Sequence, residues 1–162
     1  MTDPFASDRQ FVQEAAAGSA LEVELGKLAQ EKGSSEAVKE FGKRMVDDHT
    51  KAGEDLKEAA AKAKIPASPE LSRKAKKMQE KLSKLSGPDF DREYAKLMAN
   101  DHKNDVKAFE REAKSGAAPA IREFASRTLP TLQEHYKMAQ QLQNPGKAAD
   151  TGSADREKNG AK

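Results

Sequence analysis

The sequence predicts an all-α fold: an antiparallel four-helix bundle with an extra short helix in the crossover between the second and third long helices. Three observations carry this. Apolar residues recur every three or four positions through four long stretches, the mark of helices with one buried face. Glycine, proline and serine punctuate the chain between them, at Gly33-Ser34-Ser35, Pro66 to Pro69, Ser86-Gly87-Pro88 and Ser115-Gly116. Hydrophobic residues make up only 36% and charged residues 35%, a balance that fits narrow apolar stripes on exposed helices.

The first helix is expected from about Ser7 to Lys32. Ser7 with Gln10 offers a capping pair, Gly33 a stop, and Phe11, Ala15, Leu21, Leu25 and Leu28 an apolar face. The second runs from about Ser35 to Lys64, with Ser34 and Ser35 as caps and Pro66 and Pro69 beyond its end. Its stripe is Val38, Phe41, Met45, His49, Ala52 and Leu56. A short helix follows from about Glu70 to Leu85, with the seam Leu71, Ala75, Met78, Leu82 and Leu85. The third long helix, from about Asp89 to Lys114, aligns Phe90, Tyr94, Met98, His102, Val106 and Phe109. The fourth starts at Pro119, a good first-turn residue, and reaches Gln143. Its stripe is Ile121, Phe124, Thr128, Leu132, His135, Ala139 and Leu142, and Pro130 is expected to kink it near residues 126–130.

The 162 residues suit one domain: an N-terminal extension over 1–7, the bundle over 8–143 and a disordered polar tail over 144–162. The longest connection, 65–88, lies between the second and third long helices, which is the ferritin-like arrangement.

Composition excludes several classes of function. A formal charge of +2 gives little pull toward nucleic acid or anionic membrane, and 5% aromatics with no tryptophan cannot build a base-stacking platform. The absence of cysteine excludes disulfides, thiol nucleophiles and iron–sulfur clusters. No apolar run approaches the ~20 residues of a membrane span, and no signal peptide is visible. Glycine-rich phosphate loops, His-Glu-x-x-His and recognisable nucleophile settings are missing too, so the chain reads as non-catalytic. The short helix carries Arg73, Lys74, Lys76, Lys77, Lys81 and Lys84. These read as a solvated face; weak contact with a partner or acidic lipid is the alternative.

The chemistry-bearing pattern is its histidines. There are three, His49, His102 and His135, each near the middle of a different long helix and on its apolar stripe. The first helix places Glu22 on its own apolar line, where an ionised carboxylate is costly unless paired or metal-bound. Glu22, His49, His102 and His135 therefore form a candidate ligand set for a single transition-metal ion: zinc, iron, manganese or copper. Asp48, Asp101 and Glu134 are candidates to accept the remaining ring N–H groups. Each sits about 100° around the helix from its own histidine and would more easily serve one on an adjacent helix. Counted from Gly33 and Gly116, the paired positions differ in height by ~7.5 Å. The competing reading is a metal-free polar cluster, in which histidines bond each other, a carboxylate or a backbone carbonyl. Met45, Met98 and Met138 lie within a turn of a histidine and would favour copper as thioether ligands, but methionine is more often core filler. The Glu-x-x-His of di-iron carboxylate bundles is absent: Val46, Ala99 and Leu132 stand three before the histidines.

An ordered set of short motifs runs through the helices: Phe11-Val12, Gly18-x3-Glu22-Val23-x-Leu25-Gly26-x2-Ala29, Val38-Lys39-x-Phe41, Met45-Val46-x-Asp48-His49-x2-Ala52, Phe90-Asp91-x2-Tyr94-x3-Met98-x3-His102 and Leu129-Pro130-x-Leu132-x2-His135-x2-Met138-Ala139. Together, over residues 8–143, they resemble the bacterial domain-of-unknown-function family 4142 of the ferritin-like superfamily. The resemblance implies a ferritin-like bundle, commonly exported to the periplasm or outer envelope. It matches the family's helix-one glutamate to Glu22 and its histidines to His49, His102 and His135. The leading expectation is thus a non-catalytic envelope or stress-related bundle holding one metal ion. The alternatives are a metal-dependent oxidoreductase with an open coordination position, or an interaction module acting through residues 70–85.

Overall fold

A computed structural model describes residues 2–145. Among these residues there are five helices and no strand: α1 Ala6–Lys32, α2 Glu36–Ala63, α3 Arg73–Ser83, α4 Gly87–Ser115 and α5 Pro119–Gln143. None is long and apolar enough to cross a membrane. The expected tail at 144–162 lies, from residue 146 onward, outside the described residues.

Helix ends follow local chemistry. The Ser35 hydroxyl accepts the Val38 N–H at 3.1 Å and opens α2. Ser72 does the same for α3 through the Ala75 N–H, so α3 begins at Arg73 and not near Glu70. The expected cap at Ser7 is corrected: α1 begins one residue earlier, and Ser7 and Gln10 lie inside it. Asp3 takes over the end, accepting the Phe5 N–H and the Arg9 Nε–H, each at 2.9 Å. Lys64 ends α2 at φ 57°, in the left-handed region, and the Ile65 N–H reaches back to the Ala60 carbonyl. Helix α5 continues through Pro130 from Pro119 to Gln143.

Each long helix packs against two others: α1 on α2, α2 on α5, α5 on α4 and α4 on α1, with α3 lying against α1 and α4. Asp91, in the first turns of α4, fixes the direction of the second half. Its carboxylate accepts the Ser34 N–H (3.0 Å), the Ser34 hydroxyl (2.8 Å) and the Ser35 N–H (3.0 Å). Helix α4 therefore starts where α1 ends and α2 begins, so α2 and α4 run the same way. The segment 64–86 must return along the bundle, carrying α3. Helices α1 and α2 approach closely at Gly26 and Gly42, where a Cβ on Gly26 would stand 2.6 Å from the Gly42 carbonyl oxygen.

The core is split into two apolar clusters. One gathers Phe11, Val12, Leu56, Ile65, Phe109, Ile121 and Phe124. The other gathers Leu25, Phe41, Met45, Phe90, Tyr94 and Met98. Along α2, α4 and α5 the residues between these groups include a histidine, and on α1 Glu22 follows Leu21 at the edge of the second group.

Candidate metal centre

His49, His102 and His135 meet in this dividing layer. Their ring centroids form a nearly equilateral triangle with sides of 5.6, 5.2 and 5.3 Å. All three are buried, His102 and His135 completely. One ring nitrogen from each lies within 4.8 Å of the others.

Hydrogen bonding fixes two of the tautomers. His102 Nδ1 lies 2.8 Å from the Met98 carbonyl oxygen, which can only accept, so Nδ1 carries the hydrogen and Nε2 the lone pair. His135 Nε2 lies 2.7 Å from Asp48 Oδ2 and donates to it, leaving the lone pair on Nδ1, which is buried with no partner. His49 Nε2 stands 3.4 Å from His102 Nε2, and its Nδ1 is also buried without a partner. Two nitrogens on a tetrahedral zinc at ~2.0–2.1 Å are themselves ~3.3–3.4 Å apart. The observed separation already has that value.

Burial keeps the rings neutral. It holds His49 well below the ordinary imidazole value, helped by its two histidine neighbours, and takes His102 down to about 4. His135 is lowered by burial too, with Asp48 opposing the shift. Neutral imidazole is the form that ligates metal.

The predicted four-residue set is not one cluster. Glu22 is 2% exposed, but its carboxylate joins His102 and Asp105, all three offering an atom within 4.8 Å of one another. Burial raises the Glu22 carboxyl well above the usual range, and the Asp101 and Asp105 charges add to this. Asp105 was not among the expected site residues. It follows His102 by three residues, one helical turn, and its signal was masked because Val106 continues the apolar stripe.

Asp48 serves a histidine on an adjacent helix, as its angular position predicts. It also accepts from Arg44 Nε at 3.2 Å through the same oxygen. Glu134 makes no hydrogen bond to a histidine; it pairs with Arg44 Nη2 at 3.0 Å and is over half exposed. Asp101 makes none either, and burial raises its carboxyl to about 6. The expected height offset is also smaller than sequence counting gives. Measured from the loop centres Ser34 and Ala117, each pair differs by three residues, or ~4.5 Å. Side chains tilt toward their helix N-terminus, which in each hairpin brings the two members of a pair toward each other. Met98 contributes its carbonyl, not its sulfur, and Met45 is buried in the apolar cluster. The five cations of α3 and Lys84 at its C-cap are all exposed.

Fold and site together define an all-helical bundle whose core is crossed by a buried three-histidine layer. The chain belongs to the family described as "Domain of unknown function (DUF4142)", whose model matches residues 2–142. Its fold is similar to that in the solved structure titled "Crystal structure of DUF305 fragment from Deinococcus radiodurans". The TM-score is 0.73 at 15% identity, covering 86% of this chain and 97% of that one. No curated protein matches the sequence significantly.

Proposed function

We propose that this chain is a ferritin-like bundle that binds one transition-metal ion through His49, His102 and His135, as a non-catalytic envelope or stress-related protein. One observation carries the metal reading: three neutral imidazoles converge in the core, with the His135 Nδ1 lone pair buried and without a protein partner and the His102 Nε2 lone pair met only by His49 Nε2 at 3.4 Å. A buried polar atom without a partner costs ~1–3 kcal/mol. A cation at ~2.0–2.1 Å from each nitrogen would remove that cost at His135 Nδ1 and turn the 3.4 Å His49–His102 approach into shared ligation. The Met98 carbonyl and Asp48 already make the outer hydrogen bonds that orient metal-bound histidines. Three nitrogens suit zinc, iron or copper and leave a further position for water.

The non-catalytic reading is supported by space. The cavity touching His49 and Asp105 is about 60 Å³, and the cavity of about 440 Å³ beside Asp48, Asp55 and Arg127 is lined by no histidine. Pockets for organic substrates run to ~300–1,000 Å³. The exported setting rests on family resemblance alone. An interaction role for α3 has less support, since exposure of all six cations is what a solvated face requires.

The test is elemental analysis of native, untagged protein beside a His49→Ala, His102→Ala double variant. One ion per chain, lost in the variant, is expected. Absence of metal after reconstitution with zinc, iron, manganese and copper would overturn the proposal and leave a polar-cored structural bundle.

A further inference from the structure

We infer that the centre contains a second, oxygen-rich cation position formed by Glu22, Asp105 and His102, and that it and the three-histidine position are filled alternatively, never together. The first half comes from the acid side of the layer. Glu22 Oε2 is buried without a hydrogen-bond partner in a residue that is 2% exposed. The Tyr94 hydroxyl, which feels the Glu22 charge, is likewise buried without one. Neither Glu22 nor Asp105 has an ion-pair partner among the described residues. An unpaired buried carboxylate is strongly disfavoured. Two beside one imidazole, on helices α1 and α4, have the charge to neutralise a divalent cation.

The dimensions fit. Opposite ligands on an octahedral Mg²⁺-sized ion at ~2.0–2.1 Å are ~4.1 Å apart. The three donor atoms already lie within 4.8 Å of one another. Two carboxylates and one imidazole favour a harder ion than three imidazoles do, and Mn²⁺ is the divalent ion that accepts both donor types.

The second half comes from His102, the one residue common to both sets. Its Nδ1–H is committed to the Met98 carbonyl oxygen at 2.8 Å. Only the Nε2 lone pair remains, and one lone pair holds one ion. Nε2 also faces His49 Nε2 at 3.4 Å. The ring is therefore the pivot of a site with a nitrogen-rich and an oxygen-rich side, and the ion's own preference decides which side is used.

The oxygen-rich position does not depend on the three-histidine reading, and the experiment separates the two. Metal-free, full-length protein is titrated with Mn²⁺, followed by electron paramagnetic resonance, and then with Zn²⁺. One equivalent of Mn²⁺ should bind and be released one-for-one as Zn²⁺ is added. A Glu22→Gln, Asp105→Asn variant should lose at least tenfold in Mn²⁺ affinity and keep Zn²⁺ affinity within threefold. His49→Ala should do the reverse. Glu22→Gln is nearly isosteric and removes a buried acid, so folding is expected to survive; Asp105→Asn alone is the second variant if the pair does not fold. Failure of wild type to bind Mn²⁺, Mn²⁺ binding indifferent to the acid substitutions, or one equivalent of each ion bound together would overturn the inference. Mn²⁺ binding that requires Glu22, in a protein that takes up no Zn²⁺, would uphold this position and reject the three-histidine one.

Discussion

Asp48 gives the sharpest test of how the histidines are held. Its Oδ2 receives both the His135 Nε2–H at 2.7 Å and the Arg44 Nε–H at 3.2 Å. Removing it frees the His135 proton to move to Nδ1, where it would occupy the buried lone pair that has no protein partner. Loss of such an outer hydrogen bond costs 10–100-fold in metal affinity, or ~1.4–2.7 kcal/mol. The two available substitutions should fall at different ends of that range. Asp48→Asn can keep an oxygen facing both donors and loses only the charge, so zinc affinity should fall ~10-fold. Asp48→Ala removes the acceptor and should approach ~100-fold. Glu134→Gln touches only Arg44 and should change affinity less than threefold. Competition for Zn²⁺ against a chromophoric chelator reads all three. Wild-type affinity in Asp48→Ala, alongside loss in His135→Ala, would refute the claim that Asp48 sets the ligating tautomer.

Acid stability follows from His102, whose folded value of about 4 lies below the ordinary 6.5. Between those values the unfolded chain binds the proton and the folded chain does not, so this residue's contribution rises with pH and is lost on acidification, by up to about 3 kcal/mol. Urea unfolding of metal-free wild type and His102→Gln from pH 4 to 7 should therefore show a flatter profile for the variant. Gly26→Ala should destabilise, because its Cβ would meet the Gly42 carbonyl oxygen at 2.6 Å and overpacking of this kind costs ~1–3 kcal/mol. Gly18→Ala, with nothing within 4 Å, should gain up to ~1 kcal/mol by helix propensity, and thermal unfolding of the two should move in opposite directions. Asp91→Ala should cost ~0.5–1.5 kcal/mol by removing the acceptor of the exposed Ser34 and Ser35 N–H groups, seen as a lower urea midpoint with unchanged slope.

What the sequence reveals here depends on whether a signal is periodic or pairwise. Four long helices and a short one were legible because their apolar residues repeat over many turns and Gly, Pro and Ser interrupt them. The Ser35 cap was legible because its acceptor and donor are three residues apart. The Asp3 anchor was missed because an Asp ahead of Pro4 resembles a loose end. Asp91 was not legible as the clamp between α4 and the α1–α2 loop, since its partners are 56 and 57 residues away. The histidines were found because a polar residue on an apolar stripe is conspicuous. Asp105, one position off the stripe, was not. The different fates of Asp48, Asp101 and Glu134, three acids in the same position beside a histidine, were set by neighbouring helices that one helix's periodicity cannot show.

A polar layer across a core has two physical uses, and the histidine tautomers separate them. Such a layer fixes register, because sliding one hairpin along the other by a turn, ~5.4 Å, would press imidazoles and Glu22 against Phe41, Met45 or Phe109. Register alone needs every polar atom satisfied within the layer, so that the correct alignment is the one that pairs them all. The layer here does not do that. Met98 and Asp48 take the outer N–H groups of His102 and His135, His135 Nδ1 has no protein partner, and Glu22 Oε2 has none on the other side of His102. A layer built only to set alignment would gain from turning those atoms toward each other. The cation proposed for the histidines would give His135 Nδ1 the partner it lacks, and one on the acid side of His102 would do the same for Glu22 Oε2.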